Sequence, residues 1–233
     1  MLILLVVYSL LAKIQDQIFY STANFLGQYL SSPSTIHWST AKRVLKYLKG
    51  TKEFGIIYRR REDTSLSSST SLDLIGYTDA DWASSHLSMR STSGNCFFVN
   101  GCLVSWSSKK QRCVAVSTTE AEYVAASLAA RELVWLRQLL ADMGHPPSSS
   151  TPLRCDNQSA ISLTKDYIQH SKSKHIAIHY HYVRHEVKKG SIMVEHCPSD
   201  HMIADIFTKA LSEARFNSLR SALGIVPSSC LTN

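Results

Sequence analysis

An apolar run, Leu72 to Tyr77, leads into Thr78-Asp79-Ala80-Asp81-Trp82 and so ends on two carboxylates. Read as a buried strand, the run places charge where desolvation is costly, and a divalent cation is the commonest compensation. Alternation alone does not decide between Asp79 and Asp81. Two further acids sit in comparable settings: Glu122 near the start of a long helical pattern, and Asp156 closing Leu153-Arg154-Cys155. A fourth, Asp205, lies at the edge of an apolar face formed by Ile203, Ile206, Phe207 and Ala210. Such clusters hold two Mg²⁺ ions about 3.5–4 Å apart, one activating a water and the other steadying a leaving 3′ oxygen. Oxygen ligands suit Mg²⁺, or Mn²⁺ as a substitute, and not Zn²⁺. The chemistry this points to is metal-dependent hydrolysis of a phosphodiester.

Glu122, Asp156 and Asp205 also have plainer explanations; for Asp205 it is that surface helices carry such acids routinely. From Glu122, helical spacing leads to Ala126, Ala129, Leu133, Leu136 and Leu140, whereas from Glu120 it leads to Val124, Ser127, Arg131 and Gln138. Glu122 is therefore expected on the packing stripe and Glu120 in solvent. A buried arginine would satisfy Glu122 without metal. Asp156 could cap a helix, but Asn157 beside it can do so instead and leave Asp156 free.

The elements that must position these acids are readable from periodicity. Leu72–Asp79, Asn95–Val99 and Cys102–Ser107 read as strands, the last two joined by Asn100-Gly101, a hairpin signal. A helix is expected over Glu120–Met143, stopped by Gly144 and Pro146-Pro147. Leu153–Asp156 reads as a strand, Ser159–Lys165 and Ile176–Lys189 as helices, Ser191–Cys197 as the fifth strand, and His201–Leu211 as a further helix. Three antiparallel strands, a helix, then two strands interleaved with helices give an α/β mixed sheet with the first strand central. Upstream, Ile18–Leu30 and Ser34–Lys49 read as helices and Phe54–Tyr58 as a strand. The second helix carries an apolar stripe of Trp38, Ala41, Leu45 and Leu48, with Lys42, Arg43, Lys46 and Lys49 on other faces. Arg59–Ser71 is polar and serine-rich, the best domain boundary in the chain. The expected division is 1–58, linker 59–71, main domain 72–211, and a C-terminal helix and tail over 212–233.

Composition narrows the class. The chain has 233 residues, 44% hydrophobic, with a formal net charge of +7 that favours an anionic partner. A basic surface that binds nothing is the bland alternative. Six cysteines (Cys96, Cys102, Cys113, Cys155, Cys197, Cys230) form no C-x-x-C pair and read as reduced thiols of an intracellular protein. The apolar stretch Leu2–Ala12 is too short to span a bilayer and lacks the basic flank of a secretory signal. It reads as a packed element whose partner lies upstream.

Several motifs, in order from about residue 72 to 211, resemble one family. They are Tyr77–Trp82, Arg90-Ser91-Thr92-Ser93-Gly94, Val104-Ser105-Trp106-Ser107-Ser108-Lys109-Lys110-Gln111, Ser117-Thr118-Thr119-Glu120-Ala121-Glu122-Tyr123, Cys155-Asp156-Asn157-Gln158-Ser159-Ala160 and Ala204-Asp205-Ile206-Phe207-Thr208-Lys209. Together they resemble the ribonuclease H domain of a copia-type LTR retrotransposon Pol polyprotein. Residues near 14 to 58 resemble the tail of its reverse transcriptase. The resemblance implies a ribonuclease H-like five-stranded mixed sheet flanked by helices, preceded by a small, mostly helical segment. It implies cleavage of the RNA strand of an RNA–DNA hybrid with Mg²⁺ bound by Asp79, Glu122, Asp156 and Asp205. It also implies association with the rest of Pol, a cytoplasmic (virus-like particle) or nuclear location, no membrane and no small-molecule cofactor. The aspartate pair of a polymerase palm is not present, so no polymerase activity is expected. Candidates for hybrid contact are Lys109, Lys110, Arg112, Asn157, Gln158, Lys172, Lys174 and His175.

Two features fit the pattern less well. His196 and His201 lack the Pro-Gly-His context of the mobile histidine in many cellular ribonucleases H, and neither is assigned a proton-transfer role. His175, His179, His181 and His185 have helical spacing, but the family pattern accounts for two of them without zinc. The rival readings are a silent Pol remnant that at most binds nucleic acid, and an integrase or transposase core. The D-E-D-D order of the acids favours the ribonuclease over the integrase.

Overall fold

The structure is a computed structural model in which residues 26–27, 29–59, 72–85, 88–165 and 178–231 are described. The expectations for Leu2–Ala12, most of the first helix, residues 60–71, and Lys172, Lys174 and His175 lie outside these residues. No described helix is long and apolar enough to cross a membrane.

Two compact units form. One comprises Met1–Tyr58 with Asn217–Asn233, and the other Arg59–Phe216. In the first, α1 (Thr35–Thr51) precedes β1 (Phe54–Ile56), which pairs antiparallel with the chain's last strand. The expected apolar stripe of α1 is only partly used. Ala41 and Leu48 are half-buried, but Trp38 and Leu45 are 64% and 65% exposed, and the Lys42 ammonium lies 5.2 Å from the Trp38 ring.

The second unit is built on β2 (Leu74–Asp81), β3 (Thr92–Val99), β4 (Cys102–Lys110), β5 (Thr151–Cys155) and β6 (Ile192–His196). They form one mixed sheet in the order β4-β3-β2-β5-β6. β2 is central, antiparallel to β3 and parallel to β5, as the strand pattern predicts. Asn100 and Gly101 turn the β3–β4 hairpin with φ of 49° and 77°, the left-handed pair that a two-residue hairpin turn requires. This is the five-stranded mixed sheet expected of a ribonuclease H-like chain.

Helices cover the sheet. α2 (Thr118–Asp142) lays Ala126, Ala129, Leu133, Leu136 and Leu140 against it, all buried with Phe97, Leu153 and Val194 in one core. α3 (Gln158–Lys165), a 3₁₀ turn (Ile178–His181) and α4 (Tyr182–Lys189) follow the same side of the core, through Ala160, Ile161, Tyr180 and Val183. The free thiols Cys96, Cys155 and Cys197 are buried in the strands and just past β6 as small apolar groups.

Two expectations require correction. Glu120 is not in solvent but 7% exposed, because α2 is enclosed on every side from Glu120 to Ser127. Its carboxylate accepts the Val116 backbone N–H at 2.7 Å, while Ser117 Oγ accepts the Glu120 N–H at 3.2 Å. That is an N-terminal cap, with the acid bonded just upstream of the helix. The helix expected over His201–Leu211 is instead a pair of 3₁₀ turns, Ser199–His201 and Ile203–Phe207. The tighter coil lets the segment lie against β3 at Gly94, where a full α-helix would stand further off. α5 (Glu213–Ala222), β7 (Ile225–Pro227) and a 3₁₀ turn (Ser228–Leu231) follow, β7 being the partner of β1.

Candidate metal centre

Four acids reach one end of the sheet on four different elements. Asp79 stands near the carboxyl end of β2, and Asp156 directly follows β5. Continuing the β2–β5 register, Gly76 opposite Leu153 and Tyr77 opposite Arg154, sets the two side by side. Carboxyl ends of parallel strands are where α/β sheets open a crevice. Glu122, in the first turns of α2, accepts the Ala80 backbone N–H. Asp205 arrives on the Ile203–Phe207 turn. That turn is seated by Gly94, the cross-strand neighbour of Asp79. A Cβ on Gly94 would meet Thr208 Cγ2 at 2.6 Å and Phe207 Cβ at 2.9 Å.

Asp79 and Asp81 lie two apart on one strand and so point to the same face, which is why alternation could not separate them. Depth does. Asp79 is 1% exposed, whereas Asp81 is half-buried at the strand's end.

The local electrostatics are those of carboxylates crowded together out of water. Burial raises the Glu122 carboxyl to about 9, with the charges of Asp79 and Asp156 adding to the rise. Burial likewise raises Asp79; the Lys209 charge and the Thr208 hydroxyl oppose this, and Asp205 and Asp156 reinforce it. One ammonium bridges two of the acids: Lys209 Nζ lies 2.9 Å from Asp205 Oδ1 and 3.5 Å from Asp79 Oδ1. Burial disfavours the Lys209 charge, but Asp79 and Asp205 outweigh it and hold the ammonium above the ordinary lysine value. Thr208 Oγ1 donates to Asp79 Oδ2. Arg215 stands 3.4 Å from Asp205 Oδ2, and Ser199 Oγ donates to Asp156 Oδ2 at 3.2 Å. Among the described residues neither Glu122 nor Asp156 has an ion-pair partner, so the buried-arginine explanation of Glu122 fails.

This donor set fits a hard divalent cation. Glu122, Asp156 and Cys155 present ligand atoms within 4.8 Å of one another. Cys155 contributes no ligand to such an ion. It is fully buried, its thiol is pushed far up by burial and then by Glu122, and a neutral thiol is a poor partner for Mg²⁺. Of that cluster the oxygens of Glu122 and Asp156 remain; Asp79 and Asp205 are not part of it, but the Asp79 charge acts on Glu122 and the Asp205 charge on Asp79.

The chain as a whole is similar to known proteins. Over 209 residues, 89% of its length, the chain is 38% identical to a retrovirus-related Pol polyprotein from transposon RE2 of Arabidopsis thaliana. The chain belongs to the retrovirus-related Pol family of copia-type transposons. It spans 14% of the RE2 Pol polyprotein's length. A protein of Plasmopara viticola named as a secreted RxLR effector is 49% identical over 111 residues, 48% of the chain and 72% of that protein. Among solved structures, the N-terminal RNase H domain of a Mycobacterium tuberculosis protein aligns at 11% identity with a TM-score of 0.42, over 65% of the chain and 99% of that structure. No protein-family model matches the chain.

The other residues expected to serve this Pol segment are placed as follows. Lys109 and Lys110 end β4, opposite Ser93 and Thr92, which in turn face Ala80 and Asp81. They are exposed about 9–10 Å, two strand spacings, across the sheet from the end of β2. Arg112 is exposed just beyond them. Asn157 caps α3, its Oδ1 accepting the Ala160 N–H at 2.9 Å, and Gln158 is exposed beside it. Asp156 is thereby free of the capping role, as expected. His181 Nδ1 lies 2.9 Å from the Tyr123 hydroxyl, a polar contact and not a metal-ligand arrangement. Lys209, Thr208 and Gly94 are the site residues that sequence reasoning missed. The i,i+4 spacing of Asp205 and Lys209 was the available signal for one of them.

Proposed function

We propose that this chain is a ribonuclease H that hydrolyses the RNA strand of RNA–DNA hybrids, with Asp79, Glu122, Asp156 and Asp205 holding two Mg²⁺ ions. One observation carries the reading: Glu122 is buried beside Asp79 and Asp156, and among the described residues it has no ion-pair partner. A site so arranged is costly unless it receives positive charge from outside. Bound Mg²⁺ would supply that charge, an activated water and stabilisation of the leaving 3′ oxygen.

The protein's own residues supply positioning. Thr208 and the Ala80 N–H orient Asp79 and Glu122, and Ser199 orients Asp156. Lys209 and Arg215 hold Asp205, and Lys109, Lys110 and Arg112 offer cations to the hybrid's phosphates. The association of the Pol family with reverse transcription supports a hybrid as the substrate.

A labelled hybrid tests the reading. The full chain is expected to cut it with Mg²⁺, while Asp79→Asn and Glu122→Gln each lose activity by a factor of at least about a hundred, in line with the loss of a preorganised electrostatic group. Undiminished cleavage by both variants would reject the assignment. The silent-remnant alternative predicts hybrid binding that is indifferent to Mg²⁺ and no cleavage by the wild-type chain.

A further inference from the structure

Just past the end of β2 the surface turns apolar. Trp82, the residue after β2, is 46% exposed, and Val114 and Val116 on the loop before α2 are 53% and 69% exposed. The two segments are fastened together, because the Trp82 indole N–H donates to the Ala115 carbonyl at 3.0 Å, between the two valines. The backbone behind Trp82 is strained: Ala83 has φ of 50°, a left-handed conformation that a residue with a Cβ rarely adopts. It is held there by the fully buried Ser91, whose Oγ accepts the Ala83 N–H at 3.1 Å. One residue on, the Ser84 and Thr92 hydroxyls are bonded at 2.8 Å. A strained turn held by such ties, displaying a large aromatic, marks a surface kept for a ligand.

The charge around this surface states what the ligand is. Lys110 Nζ donates to Ser85 Oγ at 3.0 Å, in the same loop as Trp82, and Lys109 and Arg112 lie on either side of it in sequence. An aromatic and two aliphatic groups thus lie on segments that also carry cations, and Trp82 is three residues along the chain from Asp79. A nucleic acid offers both complements, phosphates for the cations and sugar and base edges for the apolar groups.

Resting on the ribonuclease reading above, we propose that Trp82, with Val114 and Val116, is a packing platform for the RNA–DNA hybrid next to the scissile phosphate. Because the indole N–H is already committed to Ala115, the platform offers the hybrid only carbon surface. It therefore contributes grip and register and reads no base. The consequence is that Trp82 governs which phosphate along the hybrid enters the acid cluster, while taking no part in holding the metal.

The test separates this proposal from the ribonuclease reading by measuring binding without cleavage. In the full chain carrying Asp79→Asn, affinity for a fluorescein-labelled hybrid is measured by anisotropy with and without Trp82→Ala or Trp82→Phe. Trp82→Ala is expected to weaken binding about tenfold, the order seen when a stacking aromatic is removed, and Trp82→Phe by less than about threefold. With Asp79 restored, Trp82→Ala is expected to shift or blur the positions of cutting. Its Mn²⁺ affinity and thermal midpoint should match the parent, which excludes a folding defect. Equal hybrid affinity in all three proteins, or unchanged cut positions, would overturn the platform. A wild-type chain that binds hybrid through Trp82 but never cuts it would overturn the ribonuclease and leave the platform standing.

Discussion

Glu122 shows how a single side chain can report on a whole site. In the metal-free protein its carboxyl is raised to about 9 by burial and by its acidic neighbours, against about 4.5 for a free glutamate. Between those values the folded chain holds a proton that the unfolded chain has released, so stability falls as pH rises through that window. Asp79 shifts in the same direction. A divalent ion held by these acids would replace the proton and remove the penalty. The metal-free protein is therefore expected to melt at lower temperature at pH 8 than at pH 5, with a slope from Glu122 of at most about 1.4 kcal/mol per pH unit. Mg²⁺ should raise the midpoint more at pH 8, and Glu122→Gln should flatten the metal-free profile. Melting curves that show the same pH dependence in Glu122→Gln as in the wild type would count against this. Lys209 gives the complementary case. Its ammonium partly fills the need for charge at Asp79 and Asp205, and 37% of its side chain meets solvent. Lys209→Met should destabilise the metal-free protein by about 1–2 kcal/mol, between the values for exposed and buried pairs. It should also tighten Mn²⁺ binding several-fold, since the ion no longer competes with a resident cation. Calorimetric titration reads this directly, and weaker Mn²⁺ binding would mean that the lysine assists the ion.

Elements differ in how much of their placement a sequence reveals. The long stripe from Glu122 to Leu140 exposes the buried face of α2, because periodicity sustained over many turns is a strong signal. Glu120 defeats the same logic. Its burial depends on the loop folded over the helix start, and the Ser117–Glu120 cap spacing was the better guide. The segment from His201 to Leu211 was legible as apolar on one face, through Ile203, Ile206, Phe207 and Ala210, but not as 3₁₀ turns, since its close approach depends on a glycine more than 100 residues away in sequence. That dependence can be tested. Gly94→Ala would drive a methyl group into Thr208 Cγ2 and Phe207 Cβ. Overpacking of this kind costs about 1–3 kcal/mol, and relief requires the Asp205 segment to lift. The variant should keep the far-ultraviolet circular dichroism of the parent while losing hybrid cleavage by about tenfold or more, with weaker Mn²⁺ binding. Full activity in Gly94→Ala would show that the segment is not held by this contact.

At the scale of the molecule, strand order and the central position of β2 follow from the order of elements and the hairpin signal, so the sheet was legible in advance. The pairing of β1 with β7 was not: each has three residues, and the partners, such as Gly55 and Val226, lie far apart in the sequence. Charge is the property that belongs to the molecule as a whole. A net charge of +7 favours a polyanion without regard to its sequence. Only cations that touch phosphate release counterions, however, and they alone set how steeply binding falls with salt. Lys109 and Lys110, exposed at the same end of the sheet as the acids, are placed to be among them. Alanine at both should lower the log–log slope of hybrid affinity against salt by about one to two, the contribution of two phosphate contacts. Alanine at Lys42 and Lys46, on the exposed side of α1, is the matched control for net charge. If both pairs changed the slope equally, overall charge and not a phosphate track beside the acids would account for hybrid binding.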